Sequence, residues 1–213
     1  MTEKIVCIAT NNAGKLREFQ SLLGRIGYEG KSLRELGITL DPEETGTTFA
    51  GNARIKAEAF CRAAGLPVIA DDSGLCVDAL DGEPGVYSAR YAGEHGNDEA
   101  NNQKLLAAMA GVPEGARGAK FVSALCCMRP DGACLEAEGE CPGTVALAPR
   151  GTNGFGYDPL FVPKHIGRHA GDDEALNTEH RTYAELTDEE KNAVSHRGRA
   201  MEKLAQALGG FLG

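Results

Sequence analysis

A short apolar run, Ile5–Ala9 (IVCIA), leads into a polar turn, Thr10-Asn11-Asn12-Ala13-Gly14-Lys15. Apolar residues then recur at Leu16, Phe19, Leu22, Leu23 and Ile26. A run of that length, closed by turn residues, predicts a buried strand. The spacing after it predicts an amphipathic helix over Lys15–Ile26. In a strand–turn–helix of this kind, backbone N–H groups at the helix N-terminus gather around an anion. Lys15 adds a full positive charge at that end. The turn is not a Walker A loop, because G-x-x-x-x-G-K-[ST] is absent. The same residues would also serve as an ordinary βα turn capped by asparagine.

Further strands are predicted at Val68–Ala70, Phe121–Met128, Cys134–Cys141 and Thr144–Ala148, and helices at Thr48–Ala64, Asp98–Ala110 and Asp188–Leu208. Arg129-Pro130-Asp131-Gly132 reads as a hairpin turn. Glu136, Glu138 and Glu140 fall in phase, which predicts one solvated strand face. The last helix opens on Thr187-Asp188-Glu189-Glu190, an N-cap with an acidic first turn. Early alternation of strand and helix, with a hairpin in the middle, predicts a mixed α/β sheet. The polar stretch Lys164–Arg181 holds His165, His169 and His180 at spacings that give no fixed metal-binding face. It is expected to be a mobile surface loop.

Charge narrows the function. The formal net charge is −9 and no basic run offsets it, which argues against a nucleic-acid backbone as partner. An acidic protein still binds a polyphosphate where its cations converge or a divalent metal bridges carboxylate and phosphate. No signal-like segment opens the chain and no apolar run approaches membrane-spanning length, so no membrane contact and a cytoplasmic location are expected. The seven cysteines include no C-x-x-C, and the adjacent Cys126 and Cys127 face opposite sides of their predicted strand. Reduced, mostly buried thiols follow, rather than a metal site.

Several segments carry chemistry. Asp71-Asp72-Ser73-Gly74 follows the apolar stretch Pro67–Ala70, at a strand end where α/β proteins place reacting groups. Adjacent side chains alternate, so one of the two aspartates is expected in a site. Glu43 and Glu44 lie in the turn-rich Asp41–Gly46. Asp72 with one of these glutamates would make a modest Mg²⁺ site completed by substrate phosphates. The plainer alternative is capping by the aspartates and a solvated acidic turn. Gly151–Pro159 (GTNGFGYDP) sets glycines around two aromatics, which suits either a base-stacking loop or a tight loop anchored by Phe155. Ser195-His196-Arg197 is expected inside the final helix, with Lys191 and Ser195 on one face. That helix offers donors to carbonyl or phosphate oxygens, or is simply a solvated basic end.

Taken together and in this order, the segments resemble the inosine triphosphate pyrophosphatase family. The matching stretches are Thr10–Lys15, Glu43–Gly46, Asn52 and Lys56, Ala70–Leu75, Pro84–Ala92, Gly154–Pro159 and Ser195–Arg197. They span almost the whole chain. Lys164–Arg181 is the main departure, and Gly51 stands where the bacterial pattern often has Glu. The resemblance implies one domain over 1–213, a mixed, elongated α/β fold with a twisted sheet, flanking helices, and two lobes around a central substrate cleft, usually as a homodimer. It implies Mg²⁺-dependent hydrolysis of purine nucleoside triphosphates with a 6-oxo group (ITP, dITP, XTP) to the monophosphate and pyrophosphate.

It also implies roles. Thr10, Asn11, Asn12, Ala13, Gly14 and Lys15 would hold the triphosphate, with Asn52 in the matching motif and Lys56 assisting. Asp72 would be the catalytic carboxylate and a metal ligand with Glu43. Ser73 would touch substrate. Phe155, Gly156, Tyr157, Asp158, Lys191, His196 and Arg197 would form the base pocket.

Overall fold

In the computed structural model of the protein, which describes residues 4–167 and 175–213, the first two elements form where the apolar pattern puts them. β1 (Ile5–Ala9) is buried from Val6 onward, and α1 (Ala13–Arg25) begins at the N-cap Asn12. β2 (Glu29–Ser32), α2 (Phe49–Ala64), β3 (Val68–Val77) and α3 (Asp98–Ala108) follow. β4 (Gly118–Met128) and β5 (Cys134–Val145) come next, then the short β6 (Phe161–Pro163), β7 (His165–Ile166) and β8 (Ala175–Leu176). The chain closes with α4 (Asp188–Val194) and α5 (His196–Leu212).

Six strands make one sheet in the order β2-β1-β3-β4-β5-β6. β1 runs parallel to β2 and β3, and β6 antiparallel to β5, so the sheet is mixed as expected. The Arg129–Ala133 turn joins β4 and β5, with Ala133 accepting from the Arg129 N–H. Three boundaries differ from expectation. β3 does not stop at Ala70 but carries Asp71–Gly74 within it. β5 is continuous through Pro142 and Gly143. The final helix is two helices, because Ser195 is extended (φ −69°, ψ 149°) and its Oγ accepts the Gly198 N–H at 3.0 Å. A serine side chain that satisfies an amide in this way starts a new helix rather than continuing the old one.

The chain divides into two compact units. The first comprises Met1–Asp72, Ser123–Glu138 and Ala200–Gly213. Strand alternation sorts its core into two layers. Val6, Ile8, Ile69, Leu125 and Cys127 meet Phe19, Leu22 and Leu23 of α1 and Met201, Leu204 and Leu208 of α5. Cys7, Ala9, Val68, Ala70, Ala124 and Cys126 meet Ala53, Ala57, Phe60 and Cys61 of α2. Each fully buried Leu, Ile or Phe here contributes roughly 1.5–3 kcal/mol by leaving water. Cys126 and Cys127 fall in opposite layers, and all seven cysteines are free. Burial pushes the Cys7, Cys126 and Cys127 thiols up to about 12, which keeps them protonated at neutral pH.

The second unit comprises Ser73–Val122 and Gly139–Arg199. Its core sets Leu75, Leu105, Met109, Leu160 and Leu186 around an aromatic group. Phe121 meets Phe161 edge-on at 4.7 Å and stacks on Tyr183 at 5.8 Å. Arg117 is buried here, and its guanidinium is held by main chain. Its guanidinium donates to the carbonyls of Val145 (2.8 Å), Met109 (2.9 Å), Val112 (3.1 Å) and Ala146 (3.1 Å). Four acceptors satisfy a charge that burial alone would make costly.

The described ends of the 164–181 segment, residues 164–167 and 175–181, are anchored. β7 pairs with β8, and the buried Asn177 amide donates to Pro163 O (3.0 Å) and Arg181 O (2.8 Å). Its Oδ1 accepts the Arg181 N–H at 3.1 Å. The side-chain amide on main chain acts beside one apolar contact, Ile166 packed against the core of the second unit. His169 lies outside the described residues. Among the described residues no helix is long and apolar enough to cross a membrane.

Candidate active site

In the first unit, the turn before α1 is organised by its own side chains. Thr10 Oγ1 accepts the Asn12 N–H (3.2 Å), and Asn12 Oδ1 accepts those of Gly14 (2.9 Å) and Lys15 (3.0 Å). The asparagine-cap reading of this turn therefore holds. Asn11 and Ala13 are exposed. Lys15 reaches across to β3, where its Nζ lies 2.6 Å from Asp71 Oδ2.

Asp72 is held by α2. Asn52 and Lys56 are four residues apart and share a helix face. Asn52 Nδ2 donates to Asp72 Oδ2 (3.1 Å), while Asn52 Oδ1 accepts the Gly46 N–H (2.8 Å) and pins the Asp41–Gly46 turn. Lys56 Nζ donates to Glu44 Oε1 (2.8 Å) and Asp72 Oδ1 (3.3 Å). Burial raises the pKa of Asp72 above 3.8 and Lys56 pulls it back only in part. Burial also opposes charge on Lys56, but Asp72, Asp71 and Glu44 together hold its pKa above 10.5. Glu44, not Glu43, is the carboxylate on Lys56; Glu43 is exposed on the same turn. Among the described residues no group of three or more His, Cys, Asp or Glu side chains is arranged to hold a metal.

In the second unit, Asp158 organises the Gly154–Pro159 loop. It is buried, and its Oδ2 accepts the Phe155 N–H (2.8 Å) and the Lys191 ammonium (2.5 Å). Gly154 has φ +78°, and a Cβ there would sit 1.9 Å from Asp158 Oδ2. Burial raises the Asp158 pKa; Lys191, the Phe155 amide and Arg197 lower it. Lys191 Nζ stands 4.8 Å from the centre of the Phe155 ring, which is 47% exposed.

Tyr157, expected in the base pocket, is a core residue whose hydroxyl donates to Ser88 O at 2.9 Å. Two placements correct the sequence reading. Lys191 and Ser195 do not share a helix face, since α4 ends at Val194. His196 and Arg197 are the first two residues of α5 rather than the middle of one long helix, and both are buried rather than solvated. The His196 ring stacks on Phe121 at 4.8 Å. Ser73 follows Asp72 on β3 and is half-buried. Sequence reasoning missed Asp98 and Asn102 of α3, which bond the Gly156 N–H and carbonyl. No local pattern signals that contact, because its partners lie more than fifty residues apart.

Known proteins resemble the chain over almost its whole length. The sequence matches the Ham1 family over residues 6–207. It is 47% identical over 208 residues to a protein of Exiguobacterium sibiricum named dITP/XTP pyrophosphatase, covering 98% of each chain. It is 46% identical to a protein of the same name from Bacillus subtilis, covering 96% of this chain and 97% of that one. The solved structure of the Staphylococcus aureus Ham1 protein superposes with a TM-score of 0.83 at 40% identity, over 98% of this chain and 100% of that one.

Proposed function

The chain belongs to the Ham1 family, and we propose on that premise that it hydrolyses non-standard purine nucleoside triphosphates, dITP and ITP, XTP and dXTP. The products are the nucleoside monophosphate and pyrophosphate, which clears deaminated purines from the nucleotide pool. The observation that carries the reading is Asp72, a buried carboxylate bracketed by Asn52 and Lys56. The names of the relatives support the substrate class. A cytoplasmic homodimer is part of the proposal.

Attack of water on phosphorus needs alignment and charge neutralisation more than covalent help. Asp72 takes the proton of that water, or orients it, at a carboxylate oxygen. Burial raises its pKa, which makes its carboxylate a better base than that of an ordinary aspartate. Asn52 fixes the carboxylate plane through Oδ2. Lys15 and Lys56 supply positive charge for the phosphates: Lys15 exchanges Asp71 for substrate, while Lys56 keeps Glu44 and Asp72 and acts from between them.

The residues fit a hard divalent cation. The donors are oxygens, and a cation, the Lys56 ammonium, already stands between Glu44 and Asp72. Asp72 and Glu43 would hold Mg²⁺, because Glu44 is committed to Lys56. When bound, the metal would neutralise phosphate charge.

Phe155 would stack on the base, and Lys191 and Arg197 would donate to the 6-oxo group. Adenine carries an amino donor at that position and would leave those groups unpaired, a mismatch worth up to about 10⁴-fold. Pyrophosphate release from ITP, dITP, XTP, GTP and ATP tests the proposal. Release confined to the deaminated purines is expected. Equal release from all would mean a different base preference, and none at all a nucleotide sensor.

A further inference from the structure

Gly156 is gripped at both ends of its peptide unit by α3. Asp98 Oδ2 accepts the Gly156 N–H at 2.7 Å, and Asn102 Nδ2 donates to the Gly156 carbonyl at 2.8 Å. The two side chains are four residues apart, on one face of the helix. We propose that Asp98 and Asn102 are positioning residues for nucleobase recognition, which set the Phe155 ring by fixing the two peptide planes that follow it. The inference rests on the reading that the Gly154–Asp158 loop takes the base.

The Phe155 ring is half exposed, so core packing does not hold it. Its direction depends on main chain. On one side its own N–H is tied to Asp158. On the other side lies Gly156, with φ +60°, the residue type with most backbone freedom. The Phe155–Gly156 plane is fixed by Asp98 through a charge-assisted bond, and the Gly156–Tyr157 plane by Asn102. The Asn102 amide has one usable orientation, since a flip would set its oxygen against the Gly156 carbonyl.

α3 is itself anchored. Leu105 is fully buried, and Asn101 Oδ1 accepts the Ala92 N–H at 2.7 Å. Asp98 also sits in the first turn of α3, where any carboxylate favours the helix dipole. Glu99 shares that turn but bonds Gln103 instead (3.3 Å), so it separates the two roles.

The test compares ITP with ribose 5-triphosphate, which has the same phosphates and no base. Loss of a hydrogen bond to a charged group should raise KM for ITP about tenfold in Asp98→Ala, with kcat nearly unchanged. Asn102→Leu should act in the same direction. KM for ribose 5-triphosphate should not move. Asp98→Asn, which keeps an acceptor, should recover most of the loss, and Glu99→Ala should match the wild type. Exchange of the Gly156 amide proton, followed by NMR, should accelerate in Asp98→Ala. Equal KM changes for both substrates, no change for either, or an unaltered Gly156 exchange rate would overturn the proposal. A wild-type enzyme with the same KM for both substrates would instead refute the base-loop reading, and the positioning role with it. A wild-type preference for ITP that survives intact in Asp98→Ala refutes the positioning role alone.

Discussion

Asp71 and Asp72 are neighbours on β3, yet each answers to a different lysine: Asp71 to Lys15 of α1, Asp72 to Lys56 of α2. Strand alternation sends the two carboxylates to opposite sides, and the flanking helices supply one cation to each. The pair therefore makes two separate ion pairs rather than one duplicated.

Asp72→Asn keeps the side-chain shape and the bond to Asn52 but removes the base. Its kcat should fall by about 10²–10⁴-fold, the usual worth of a positioned acid or base. Asp71→Asn should act mainly on KM, through a less well-placed Lys15. Steady-state kinetics with ITP separate the two, and near-normal kcat in Asp72→Asn would remove Asp72 from the chemistry.

Divalent metal should be required. Excess chelator should silence pyrophosphate release, and Mg²⁺ should restore it. Glu43→Gln should weaken Mg²⁺ binding, measured by calorimetry without nucleotide, more than Glu44→Gln, because Glu44 is spent on Lys56. The reverse order would reassign the ligand, and full activity in chelator would reject the metal.

Base and phosphate contacts should separate by mutation. Arg197→Ala should lower kcat/KM for ITP and XTP far more than for ATP, which lacks the 6-oxo acceptor. Lys15→Ala should weaken all triphosphates alike, since they carry the same phosphates. A uniform loss in Arg197→Ala would mean that Arg197 is no base reader.

Asp158 predicts a pH dependence of stability. Its folded pKa is raised above 3.8, chiefly by burial. Between that ordinary value and the raised one, the folded state holds more protons than the unfolded state, so stability falls as pH rises through the window. Asp158→Asn cannot titrate. Urea unfolding in steps upward from pH 3.8 should show the wild type losing stability relative to the variant, then a constant difference. Parallel curves throughout would contradict the raised value.

Much of the fold is written locally. The period of Leu16, Phe19, Leu22 and Leu23 gives α1, and the unbroken run Ile5–Ala9 gives β1. β2 escapes because Glu29-Gly30-Lys31-Ser32 has no apolar alternation; it is a strand only because β1 offers a parallel edge. Ser195 escapes because the apolar period continues across it, while its hydroxyl breaks the helix from within. Asp72 stood out as a carboxylate directly after an apolar stretch, whereas Asn52 and Lys56 entered only through the family resemblance, because a single Asn and Lys on a helix carry no local signal. The core placement of Tyr157 was not legible, since an aromatic among glycines reads the same whether it faces solvent or the Ser88 carbonyl.

Arg117 has a consequence for how this chain tolerates change. Its guanidinium meets four carbonyls, two contributed by residues after α3, one by the end of β5 and one by the residue that follows β5. Lysine preserves the charge but offers one ammonium in place of a planar fork. The exchange that looks mildest on paper would leave several of those carbonyls without a donor. At this position a neutral drift between the two basic residues is closed, since the side chain is buried.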